Sequence, residues 1–289
     1  VTGDGRQGDR ERGKEGDREL GDRGQGMDFD QAFGYAGIFL AALIAGAINA
    51  IAGGGSLVSF PALVGFGVPT ILANTTNNAA LVPGSIAGMI GFWDEVKRSK
   101  KLVAFLAAPS LVGGLLGAYI LANTSENLFR QLTPFLILFA TLLFAGRDFF
   151  TKWTRRGARD GEIASSLAMT SAGGVAGFIL QLVIATYGGF FGAGQSIMMM
   201  AAFSIMGVRD IHEINGMKTA SAVIVNGVAL IFFITQGLII WHLAIWMGIG
   251  AMIGGYFAAR ISKRIDQNVL RWTVIAIGLV VSGVLFWRG

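Results

Sequence analysis

The run "AIAGGGSLVSFPALVGFG", residues 50–67, sets three consecutive glycines and a serine inside an otherwise apolar stretch. Each glycine disfavours a helix interior by about 1 kcal/mol. What the glycines do depends on what surrounds them. Apolar residues make up 53% of the 289 positions, and the mean hydropathy is +0.59. A chain of this composition is expected to be a membrane protein, an all-α polytopic bundle of about eight to ten segments.

Charge is segregated along the sequence. Residues 1–28 hold six Lys/Arg and eight Asp/Glu, leaving 17 basic and ten acidic residues for the rest. That opening stretch has neither an apolar signal core nor a helical stripe, so a disordered tail is expected there. Met27, followed by "DFDQAFGYAGIFLAALIAGAIN", resembles a natural beginning and suggests that the tail is a start-site extension. The membrane domain is then 29–289. Its basic residues collect in short connectors, a membrane-topology pattern that gives no reason to expect a nucleic-acid partner. The chain has no cysteine, which removes disulfides, thiolate metal sites and cysteine nucleophiles. No cofactor and no metal are expected.

Apolar spans read at 33–52, 71–93, 102–122, 132–150, 163–187, 213–236, 241–260 and 269–287, with shorter pieces at 56–66 and 190–206. The halves match at an offset of about 140. "AGGGSL" from Ala52 aligns with "GAGQSI" from Gly192, and "ANTTNNAALVPGS" from Ala73 with "INGMKTASAVIVN" from Ile214. This pairs Asn74 with Asn215, Asn77 with Lys218, Asn78 with Thr219 and Ser85 with Asn226. Two repeats of five elements are expected, at about 31–150 and 163–289.

The connectors at 94–101, 146–160 and 260–271 are rich in Lys and Arg and should face the cytoplasm. The connector after the third element is basic in the first half and neutral in the second, and the reverse holds after the fourth, so the repeats should be inverted. Inversion needs an odd number of crossings per half, which gives ten spans with the N-terminus outside. Eleven helical residues reach only about 16 Å, however, against a core of about 30 Å. A re-entrant hairpin at each short element therefore stays open.

Non-helical backbone at membrane depth is tolerated where it lines a cavity or is covered by protein. At such a break the next half-helix presents unpaired N–H groups and the positive end of its dipole, which together suit an anion. Gly53, Gly54, Gly55 and Ser56 form the first candidate site, and Gly192, Gly194, Gln195 and Ser196 the second. Close helix approach is the competing role for such glycines. Asn74, Asn78 and Ser85 share one helical face, as do Asn215, Thr219 and Asn226, so either packing or site lining could explain each stripe. Asn74, Asn77, Asn215 and Lys218 complete the candidate substrate-binding set. Lys218 stands about five residues inside its element, where it could meet an anionic substrate, snorkel, or be neutralised by Glu213.

His212 and His242 fall at span edges, and the six tryptophans lie mostly near span ends, as belt residues do. No acidic residue sits near a span centre, which argues against a dedicated cation carrier.

The stretches "INAIAGGGSLVSFPALVGFGVP", "ANTTNNAALVPGSIAG", "GGFFGAGQSIMMM" and "INGMKTASAVIVNGVALIFF" resemble the TauE/SafE permeases, the sulfite exporters. The resemblance runs from about residue 31 to the end. It implies a multi-pass carrier of sulfite, organosulfonates or related anions in the prokaryotic inner membrane, with a small anion and the bilayer as partners and a homo-oligomer as a further option. Gln195 departs from the glycine-rich form of the second motif. The chain has no G-x-x-x-x-G-K-[ST] phosphate loop, so a secondary carrier is expected and an enzyme is not. The rivals are a hydrolase built on Ser56, which lacks a nearby base, a non-transporting scaffold, and an anion channel or a carrier of another organic anion.

Overall fold

The computed structural model describes residues 34–49, 54–157, 171–208, 210–261 and 267–288, and every regular element among them is an α-helix. The first half holds α1 (Gly34–Asn49), α2 (Ser56–Gly65), α3 (Thr70–Gly91), α4 (Trp93–Arg98), α5 (Lys100–Ala122) and α6 (Glu126–Gly157). The second holds α7 (Ser171–Phe190), α8 (Gln195–Ile205), α9 (Ile211–Thr235), α10 (Trp241–Ile261) and α11 (Gln267–Arg288). The expected tail lies outside the described residues, as does Gly53.

The pattern of burial identifies the solvent. Helix α5 buries Gly113, Gly114, Gly117 and Ala118, and exposes Leu111, Val112, Leu115, Leu116, Tyr119 and Ile120. A water-soluble helix does the reverse. Lipid tails are as apolar as leucine, so burying leucine gains little there, and small residues take the interface because they let backbones approach. Three described stretches, Lys100–Ala122, Glu126–Gly146 and His212–Thr235, are long and apolar enough to cross a bilayer. The chain folds as a helical membrane bundle.

Two interfaces bring helix main chains into very close approach. Where α5 meets α7, a Cβ added to Gly117 would lie 2.0 Å from Thr186 O, and one on Gly189 2.2 Å from Gly114 O. Where α1 meets α10, a Cβ on Gly254 would lie 1.8 Å from Leu43 O, and one on Gly46 2.1 Å from Ala251 O. Exchanging the halves turns the first helix pair into the second. In the same way α5 against α9 exchanges with α10 against α3, and α6 against α8 with α11 against α2.

Each short helix folds back on the one before it. Gly37, near the start of α1, faces the Phe66 ring just past the end of α2, while Gly55 faces Ala45 O near the end of α1. Gly177 of α7 likewise faces Met206, just past α8. The pairs α1–α2 and α7–α8 are therefore antiparallel hairpins. With ten and 11 residues, α2 and α8 rise only about 15 to 17 Å. The α2 end adjoins the start of α3, whereas α4, beyond the other end of α3, packs on α9, whose start follows α8. The hairpins thus enter the bundle from opposite ends.

Two elements depart from the sequence reading. The basic stretch after residue 146 continues α6 to Gly157, because it contains no proline and Gly146 alone does not stop a helix. The connector at 94–101 begins as α4, a two-turn helix with Asp94 and Glu95 in its first turn and Lys97 and Arg98 in its last. That order complements the helix dipole.

The start of α3 is capped from a distance. Its N-cap position is Pro69, which supplies no side-chain cap, and Glu126 at the start of α6 does the work instead. Glu126 Oε1 accepts from Thr70 N and, at 2.7 Å, from Thr70 Oγ1, while Oε2 accepts from Ile71 N at 3.1 Å. Loss of an N-cap typically costs about 0.5–2 kcal/mol. Glu126→Ala should lower stability by that amount and Glu126→Gln by less, as read from thermal unfolding in detergent.

Candidate functional site

Helix α7 ends at Phe190 and α8 starts at Gln195. Between them Gly192 has φ +78 and Gly194 φ +80, a left-handed backbone that L side chains adopt only at a cost of about 1–2 kcal/mol. The first break differs locally. Gly55, the residue before α2, has ordinary helical angles, φ −56 and ψ −34. Its glycine is required by space: an added Cβ would lie 2.2 Å from Ala45 O.

Both breaks rest on α6. A Cβ on Gly54 would stand 2.7 Å from the Phe144 ring, and one on Gly194 3.4 Å from Ala140 Cα and 3.6 Å from Leu143 Cδ1. Ala140 and Phe144 are one turn apart, about 6 Å of helix rise. Helix α3 also reaches both. Asn74 Nδ2 donates to Phe190 O at 2.9 Å, a carbonyl at the end of α7. One turn on, Asn77 Oδ1 accepts from Ser59 Oγ at 2.6 Å, and that hydroxyl also lies 3.2 Å from Gly55 O. Asn74 and Asn77 are 5% and 3% exposed, so these amides sit in the interior of the bundle.

Around the second break, Tyr187 donates its hydroxyl to Ala193 O at 2.7 Å. Gln195 Nε2 donates to Asn226 Oδ1 at 2.9 Å, while its buried Oε1 has no hydrogen-bond partner. Phe191 stands edge-on to Phe60 at 5.3 Å, and Phe190 edge-on to Phe129 at 5.5 Å. Aromatic rings thus enclose a polar seam.

The starts of α2 and α8 are electrostatically bare. Their N-cap residues, Gly55 and Gly194, offer no side-chain cap, and neither first turn contains an acidic residue. Leu57 N and Val58 N turn back to Gly54 O and Gly55 O, and Ile197 N to Gly194 O. Ser56 and Ser196, both half-buried, are the first residue of α2 and the second of α8.

The structure brings Gly54, Gly55, Asn74, Asn77, Gly194 and Gln195 to the two breaks, with Gly192 inside the second loop. It does not bring Asn215 or Lys218 to the second break. Helix α9 meets that break at Asn226, which is 11 and eight residues further on, about 16 and 12 Å along the helix. Thr219, beside them, faces Gly88 of α3. Ser85 bonds to Leu81 O of its own helix, while Asn78 Oδ1 is buried without a partner. Ser59 and Tyr187 were missed by the sequence reading. Ser59 stands one turn beyond Gly55, and that spacing was the available signal. His212 and His242 are exposed. Among the described residues no three His, Cys, Asp or Glu side chains gather into a metal-ligand set.

Removal of one bridging amide is a direct probe. Asn74→Ala removes the amide that pairs the half-buried Phe190 carbonyl, which should cost about 1–3 kcal/mol. A fall in melting temperature together with a reduced transport rate is the expected result.

A lipid-facing bundle interrupted by two breaks lined by amides and helix starts is the architecture that a membrane transporter requires. The chain belongs to the sulfite exporter TauE/SafE family, which it matches over residues 38–285. It is 28% identical over 254 residues to the probable membrane transporter protein YfcA of Escherichia coli K12, covering 86% of this chain and 88% of that one. A probable membrane transporter protein of Haemophilus influenzae is 25% identical over 251 residues, with 86% and 93% covered. The probable membrane transporter protein YdhB of Bacillus subtilis is 23% identical over 248 residues, with 86% and 96% covered. No solved structure gives a significant match.

Proposed function

We propose that the protein is a secondary carrier of small sulfur-containing anions, sulfite or organosulfonates, held at the starts of α2 and α8. The observation that carries this reading is the convergence of two uncapped helix N-termini, entering from opposite ends, on one turn of α6. Each start carries roughly half a positive charge that no acidic first-turn residue offsets. Discontinuous helices meeting in this way are how inverted-repeat carriers hold anionic groups. The family's description as sulfite exporters supports sulfur as the central atom of the cargo. Repeats at about 31–150 and 163–289, inverted in the inner membrane with the N-terminus outside, follow from the basic connectors. The contacting ligand groups are Gly54, Gly55, Ser56, Gly194 and Ser196, with Asn74, Asn77 and Gln195 fixing the loops. Gly53 and Gly192 complete the proposed set at the breaks, and Asn215 and Lys218, further back along α9, belong to it as groups that a moving anion would meet and not as ligands of the bound one.

Purified protein in liposomes tests the reading. Sulfite or a sulfonate such as sulfoacetate should move in a saturable way, with counterflow against a preloaded substrate. Passive flux without counterflow would make it a channel, and no flux of any sulfur anion, with carboxylates carried instead, would remove the sulfur assignment.

A further inference from the structure

The sharpest charge asymmetry outside the breaks lies at α4. Lys97, Arg98, Lys100 and Lys101 are all exposed, within five positions of one another. Lys97 reaches Asp94 at 4.0 Å and lies over the Trp93 ring at 5.7 Å. No carboxylate among the described residues pairs with Arg98, Lys100 or Lys101. The level of this patch is fixed by its neighbours. Lys100 begins an apolar span of 23 residues, Ile90 below is 65% exposed and Trp93 46%. Exposed leucine-sized side chains give way to tryptophan and then to cations, the sequence of a chain leaving hydrocarbon for headgroups.

The other face of α4 is seated on α9. A Cβ on Gly216 would lie 2.8 Å from Glu95 Cβ and 3.2 Å from Val96 N. The next turn adds a second tie: buried Ser99 donates its hydroxyl to Glu213 Oε1 at 2.6 Å. Glu95 is therefore turned onto α9, whereas Asp94 stays outside with Lys97 and leaves Arg98, Lys100 and Lys101 as the outward excess of charge. We propose that the outward face of α4 and the start of α5 bind the phosphate headgroups of anionic phospholipid in the adjoining leaflet, and that this contact holds α4 down on the first turns of α9. Charge complementarity selects the occupant. Three cations without carboxylate partners, next to a tryptophan at the membrane edge, match a layer of phosphates better than any apolar partner.

Each basic side chain close to an anionic bilayer strengthens attachment about fivefold, and three together on the order of a hundredfold. The test uses the full-length protein in nanodiscs of phosphatidylcholine, with or without phosphatidylglycerol. The melting temperature should rise with phosphatidylglycerol, the gain should shrink as salt is raised, and amide exchange over 211–219 should slow. Arg98→Gln/Lys100→Gln/Lys101→Gln should melt like the parent in pure phosphatidylcholine and lose most of the gain. Lys100→Arg/Lys101→Arg should keep it. An equal gain in the glutamine variant would overturn the proposal, as would the same gain from glycerol phosphate added to neutral discs, which would mean a free anion site. If the glutamine variant fails to fold, the salt response and exchange pattern of the parent decide. None of these readouts depends on which substrate is carried.

Discussion

Gly194→Ala is expected to cut substrate uptake at least about tenfold while leaving a protein that still folds and inserts. The residue sits at φ +80, and the left-handed region disfavours alanine by about 1–2 kcal/mol, roughly a five- to thirtyfold shift in population. The new methyl would meet Ala140 at 3.4 Å, the near edge of ordinary contact, so the cost comes from the backbone angle and not from a clash. The backbone relieves the strain by rotating toward negative φ, and that rotation re-aims the first N–H groups of α8. A matched substitution separates this from general damage. Gly65, the last residue of α2, has nothing within 4 Å of an added Cβ, so Gly65→Ala should transport normally. Initial rates in liposomes, beside melting temperatures for both variants, decide the matter. Parental uptake by Gly194→Ala would show that the geometry of this break is immaterial.

Substitution at the helix contacts should have the opposite profile, loss of fold before loss of rate. Gly254→Ala drives a methyl to 1.8 Å from Leu43 O, and Gly117→Ala to 2.0 Å from Thr186 O. The opposing atoms are main chain and cannot swing aside, so overpacking should exceed its usual range of about 1–3 kcal/mol. Melting should fall by on the order of 10 °C, or the protein should vanish from the membrane fraction. Gly227→Ala and Gly283→Ala provide the contrast. Both sit in helices with open space at the Cβ position, and alanine is the better helix former by about 1 kcal/mol, so these variants should be neutral or slightly more stable. Identical melting for all four would mean that backbone proximity does not hold α1 to α10 and α5 to α7.

The sequence showed some of this directly and left other parts hidden, for physical reasons. Three adjacent glycines in an apolar run are costly in a helix, so a break was legible from the chain alone, and its recurrence near Gly192 marked the second. The burial pattern of α5 could have been read too, since Gly113, Gly114 and Gly117 recur at helical spacing. Which glycine does what was not legible. Gly55 avoids Ala45 O through tight space and Gly194 supplies a positive φ, and letters alone do not distinguish those needs. The stripe from Asn74 onward was visible as a face, but its use was not. Asn74 bonds a carbonyl 116 residues away and Glu126 caps a helix 56 residues before it. Such partners are set by how the helices assemble, not by spacing. Lys218 stood out because a charge inside an apolar run demands a reason, yet Asn226, eight residues later, is the α9 side chain that meets the second break.

The contact of both breaks with one turn of α6 carries a mechanical consequence. Phe144 touches Gly54, and Ala140 and Leu143 touch Gly194, so the two hairpin tips share a fulcrum. Were one tip to withdraw toward its own end, the turn from Ala140 to Phe144 would be free to move into the space released, and the opposite tip would then be held in place. The expected result of such a seesaw is mutually exclusive opening, and the cysteine-free chain invites its measurement with paired spin labels on Phe66 and Met206: distances that change independently at the two ends would exclude it.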